Sequence, residues 1–123
     1  LIVAQEMQPY LEISSMAKLI RYLAPHIQKN NIDVRLFMPK FGTINEKRHR
    51  LHEVVRLSGM NIIVDNEDFP LIIKVASLPD AKMQVYFLDN EELFSRKFSI
   101  SYRLLGIIKS SSAHKTEYLV FAV

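Results

Sequence analysis

Ser14 and Ser15 stand where a proline-bearing loop gives way to a helical pattern. A serine hydroxyl there accepts from the free N–H groups of a first helical turn. If the preceding run is a strand of an open α/β sheet, the same loop lies where such sheets bind ligands, at helix N-termini beyond the strand ends. His49 and His52 are spaced about one helical turn apart, a spacing that can hold a metal. No third ligand accompanies them, which favours surface or packing histidines. Glu91 and Glu92 are adjacent, so they cannot form a facing carboxylate pair; they read as first-turn acids on a helix dipole. Gly42, Gly59 and Gly106 lie too far apart for a phosphate-cradling loop. Tyr86, Phe87 and Phe94 read as core rather than as a sugar platform.

The elements around these residues follow from periodicity. Residues 1–4 are wholly apolar and mostly branched, which suits a strand at the centre of a parallel sheet. Residues 5–13 form a loop. Met16, Leu19, Ile20, Leu23 and Ile27 then recur at helical spacing, with Pro25 expected to kink or divide the helix and Asn30-Asn31 to stop it. Residues 34–38 form a second strand closed by Pro39, giving a βαβ unit with parallel strands. Residues 53–57, 60–64, 71–78 and 83–88 are strand-like, with turns at 58–59, 65–70 and 79–82. Short connections predict antiparallel neighbours, a β-meander inserted after the second strand. Asp89-Asn90 caps a helical turn over 91–96. The expected fold is therefore α/β, a Rossmann-like open sheet with an inserted meander.

Composition narrows the classes. The chain has 123 residues, 49% hydrophobic and 24% charged, which excludes full disorder. No run approaches the ~20 apolar residues of a spanning helix, so no membrane role is expected. There is no cysteine, which excludes disulfides and thiolate metal sites and fits a cytoplasmic location. Lysines plus arginines and acids balance over 1–96, and the net charge of +3 comes from 97–123, where Glu117 is the only acid. Lys47-Arg48-His49-Arg50 is too small a basic cluster to carry nucleic-acid binding.

Three segments resemble one family. Val3-Ala4-Gln5-Glu6-Met7-Gln8-Pro9-Tyr10 is similar to the Val-Ala-Ser-Glu-x-x-Pro-Phe pattern of bacterial glycogen synthases and plant starch synthases. The stretch from Asp33 through Pro39-Lys40-Phe41-Gly42 resembles the family's second strand and its Pro-Arg-Tyr-Gly turn. The stretch from Val85 through Asp89-Asn90-Glu91-Glu92 to Arg96 resembles Tyr-x-Ile-Asp-x-Pro-Glu-x-Phe-x-Arg. The middle, 51–77, looks most like short synthase-like proteins of Bacteroidetes.

The resemblance implies a GT-B glycosyltransferase of two Rossmann-like domains. It implies transfer of glucose from ADP-glucose to the non-reducing end of an α-1,4-glucan, without metal or other cofactor. Residues 1–96 would be part of the amino-terminal domain, with no catalytic residue of their own. Residues 97–123 would be an atypical tail, either frame-shifted or truncated or a genuine terminal hairpin. At the family's first-loop motif, Lys-Thr-Gly-Gly-Leu, this chain has Glu12, Ile13, Ser14, Ser15 and Met16. By position, Glu12, Ser14 and Ser15 are the candidate substrate-binding residues. Glu12 reverses the lysine's charge, and Lys18 replaces an aspartate shortly after it. A catalytically impaired glucan-binding homologue with a regulatory role is the alternative, and a small nucleotide-binding domain unrelated to glucan a further one.

Overall fold

The computed structural model describes residues 1–94. Residues 95–123, and with them the expected tail and the end of the last helical turn, lie outside the described residues. Six strands form one mixed sheet: β1 (Ile2–Val3), β2 (Leu36–Pro39), β3 (His52–Glu53), β4 (Met60–Val64), β5 (Glu67–Ser77) and β6 (Gln84–Asp89). Three helices accompany them, α1 (Ser15–Gln28), α2 (Glu46–His49) and α3 (Glu91–Phe94). The path runs β1-β2-β6-β5-β3, with β4 also on β5. β1, β2 and β6 are mutually parallel, and β5 is antiparallel to β6, β3 and β4. This is the expected open α/β sheet with an antiparallel insertion. Among the described residues β1 lies at the sheet's edge, not at its centre.

The core forms on one sheet face. Ile2, Leu36, Met38, Val85 and Phe87 are buried there in one cluster with Ile20 and Ala24 of α1. The expected apolar stripe is only partly right, because Met16 and Leu19 are exposed. Ala17 and Ala24 are fully buried, and the Ala17 carbonyl accepts the Gln8 N–H of the first loop at 3.2 Å. Pro25 does not divide α1, which runs unbroken for 14 residues. Proline lacks the N–H that would reach the Arg21 carbonyl, but it stands in the last turn, where few rungs remain to be lost. Asn31 ends the region with a φ of 61°, the left-handed stop its sequence foretells.

The insertion departs from a simple meander. β3 pairs with Lys74 and Val75 of β5, while β4 pairs further along at 67–71, so both occupy one edge of the same long strand. The strand expected over 53–57 ends at Glu53. Ser58 explains the break: its hydroxyl accepts the Ile73 N–H at 3.0 Å and reaches the Val54 carbonyl at 3.1 Å, taking a ladder position from the backbone. The turn expected over 65–70 contracts to Asp65 and Asn66, with φ of 53° and 66°. Two successive left-handed residues make the tight turn whose twist suits a hairpin. Pro70 then sits inside β5. It lies beyond the last β5–β6 pair, Ile72 with Asp89, so its missing N–H breaks no rung of that ladder.

Candidate functional site

The loop between β1 and α1 is anchored by its apolar members. Met7, Tyr10 and Leu11 are buried in the core, and the Tyr10 and Leu11 N–H groups both donate to the Met7 carbonyl at 3.0 Å. Tyr10 meets Phe87 edge-on at 5.0 Å and donates its hydroxyl to the Ser77 carbonyl at 3.1 Å. Burial pushes its phenol up to about 12, against a smaller opposing effect of Arg21.

Glu6 organises the far half of the loop. Its carboxylate is buried, and Oε2 accepts the Ile13 N–H at 2.6 Å and the Ser14 N–H at 2.8 Å. Its Oε1 accepts the Ser14 hydroxyl. Ser14 is the N-cap, its Oγ accepting the Met16 N–H at 3.2 Å, while Ser15 is the first helical residue. The structure thus brings Ser14 into a network but leaves Ser15 and Glu12 exposed. Glu12 makes no ion pair among the described residues, with Lys18 or otherwise. Two N–H groups suited to an anion are therefore already occupied by an internal carboxylate. Sequence reasoning singled out the serines and gave Glu6 no role, because nothing in the spacing shows that the loop folds back to bring it to Ser14.

A second constellation lies at the carboxyl ends of β2 and β6, where open α/β sheets receive ligands. Lys40 follows β2 and reaches Glu46 at 2.8 Å. Lys74 of β5 reaches Glu46 at 2.8 Å and Asp89, the last residue of β6, at 2.7 Å. Hydrogen bonds from Lys40 and Lys74 hold the Glu46 carboxyl below its ordinary value. Burial alone would lower the Lys74 ammonium, but its bonds to Asp89 and Glu46 outweigh that and raise it. Two cations facing two anions neutralise one another, so the quartet clamps α2 to the sheet and offers no free acid or base. Asn90 extends it by donating to the Pro70 carbonyl at 2.7 Å and capping α3 through the Leu93 N–H at 2.9 Å. The Lys40-Phe41-Gly42 turn docks on α3, with the Gly42 N–H on the Phe94 carbonyl at 3.0 Å.

His49 and His52 do not share a helix: His49 ends α2 and His52 opens β3. Burial, aided by Arg48, lowers the His49 pKa. Among the described residues no three metal-ligating side chains converge, and no helix is long and apolar enough to cross a membrane. Tyr86 stacks on Phe37 at 5.1 Å and Phe94 meets Phe41 at 5.9 Å, so these rings serve packing.

Comparison with known proteins decides what this arrangement belongs to. Residues 1–117 match the family model described as the starch synthase catalytic domain. The chain belongs to that family. The match continues past Arg96 by some twenty residues. A glycogen synthase of Chlorobaculum parvum is 36% identical over 115 residues, covering 94% of this chain and 24% of the relative. A glycogen synthase of Chlorobium limicola is 38% identical over 96 residues, covering 78% of this chain and 20% of the relative. These relatives are from Chlorobaculum and Chlorobium rather than from Bacteroidetes, where the middle segment had pointed. The chain spans about a quarter of the length of the curated relatives it matches. The catalytic domain of starch synthase IV from Arabidopsis thaliana, bound to ADP and acarbose, superposes with a TM-score of 0.63 at 17% identity. That superposition covers 75% of this chain and 19% of the plant chain, and it supports the starch synthase fold.

Proposed function

We propose that this chain is the amino-terminal part of a glycogen or starch synthase-type glycosyltransferase of GT-B architecture, acting in the cytoplasm. The longer protein would move glucose from ADP-glucose to an α-1,4-glucan. The observation that carries this is the family match over residues 1–117. Support comes from the three resembling segments, which form the β1–α1 loop, the turn after β2 and the β6–α3 junction, all beyond the carboxyl ends of parallel strands. No described residue is assigned as catalytic; the quartet is neutral and the first loop is internally satisfied. Transition-state stabilisation in such a site draws on both sides of a closed cleft. The test is glucose transfer from ADP-glucose to glycogen by the full-length gene product beside the 123-residue chain. Transfer by the longer protein and none by the short chain is the expected result.

A second reading rests on one observation. By the resemblance, Glu12 stands exposed at the family's lysine position. Such a loop suits a homologue that binds glucan and regulates without turning over ADP-glucose. Glucan binding by the full-length protein without transfer would select it.

A further inference from the structure

A cavity of about 600 Å³ opens between the first loop, α2, β3, the far end of β5 and the start of β6, and no quartet residue lines it. Arg48, His49, Arg50 and His52 form one wall. They converge because Arg50, with a φ of 53°, turns the chain sharply from α2 into β3. Ser77 and Gln84 add polar groups, and Tyr10 closes the inner side with its ring edge-on to His49 at 5.1 Å. Arg21 stands close by, its guanidinium donating to the carbonyl of Pro79, another lining residue.

No acid lines this cavity among the described residues. Neither Arg48 nor Arg50 has a carboxylate partner there, and Glu46, the nearest acid in sequence, is held by Lys40 and Lys74. The rest of residues 1–96 is close to charge balance, so this concentration of unpaired cations is local. A guanidinium fork matches two oxygens of a phosphate, and two such forks suit a dianion better than a carboxylate. The volume lies within the range of small-molecule sites, far more than a bare phosphate needs. Its concave shape, with Ser77 and Gln84 in the lining beside the arginines, fits a compact polar body and not a duplex.

We propose that this cavity binds a phosphate monoester of sugar size, with Arg48 and Arg50 on the phosphate and Ser77 and Gln84 toward the hydroxyls. The shared chemistry is the phosphate group, whether carried by a hexose or free. The test is calorimetric titration of the 123-residue chain with a hexose monophosphate, inorganic phosphate and unphosphorylated hexose. The hexose monophosphate should bind, more weakly as salt rises, and the unphosphorylated sugar should not. Arg48→Gln with Arg50→Gln should weaken binding by about tenfold or more, while Arg56→Ala, at an exposed arginine outside the cavity, should leave it unchanged. Inorganic phosphate binding as tightly as the ester would support the phosphate contact while removing the sugar from the site. As a readout that needs no variant, the His49 and His52 ring resonances should shift on titration. Absence of binding by both phosphates, an affinity unchanged in the double variant, or unmoved histidine resonances would overturn the proposal.

Discussion

Glu12 and Glu6 are six residues apart and answer to different physics. Glu12 stands in solvent, at the position that the proposed reading sets against the family's lysine. If the full-length protein brings donor phosphates to this loop, Glu12→Lys exchanges repulsion for attraction. Unit charges ~4 Å apart interact by ~4 kcal/mol at an effective dielectric near 20, and solvent exposure and salt reduce that. Donor affinity should rise several-fold in low-salt calorimetry; an unchanged affinity would place the loop away from the phosphates. Glu6 is buried and accepts from Ile13, Ser14 and the Ser14 hydroxyl. Glu6→Ala orphans those donors, and bonds to a charged acceptor are each worth ~1.5–3 kcal/mol. Urea denaturation of the chain should show a loss of about 3 kcal/mol, against about 1 kcal/mol for Ser14→Ala, which removes a cap. The cap serine was legible in the sequence because capping is local. Glu6 was not, because its partners lie across a loop whose return path periodicity does not encode.

At the scale of elements, the ion quartet ties α2, the end of β2, β5 and β6 together. Glu46 has its carboxyl held below the ordinary 4.5, so its contribution is complete above that value and is lost as pH falls through the lower folded value. Lys74 is raised above 10.5, so its contribution is complete below that value and is lost as pH climbs through the higher one. Stability measured by denaturation should therefore hold across neutral pH and fall at both extremes, and Glu46→Gln should flatten the acid limb. Elements with a clear period were readable: the four strands β2, β4, β5 and β6, and helix α1. α2 was not, since four residues carry no period, and its Asn45 cap, accepting the Arg48 N–H at 2.9 Å, sat unnoticed beside a basic cluster. The stripe on α1 was misjudged because apolar spacing weighs Leu19 above Ala17, whereas the buried face of the helix carries Ala17, Ile20 and Ala24.

For the whole molecule, a topology of parallel strands followed by an antiparallel excursion was readable from connection lengths, and the family from three ordered segments. The pairing of β3 and β4 along one edge of β5 was not, since periodicity does not show the break at 54–59 that the Ser58 hydroxyl bridges. The 123 residues supply one wall of a two-walled cleft by the proposed reading, and their expected transferase rate is therefore that of the blank. The ribbon formed by β4 and β5 has a different consequence. Met60–Val64 contains no charge and no proline, and Met60, Ile62 and Ile63 are exposed along it. Among the described residues no strand pairs with its outer edge, and such an edge is the geometry from which aggregation nucleates. Light scattering by the 123-residue chain should therefore rise with concentration while its far-UV circular dichroism stays unchanged. Ile63, 72% exposed, is where a single gatekeeper charge should suppress that rise.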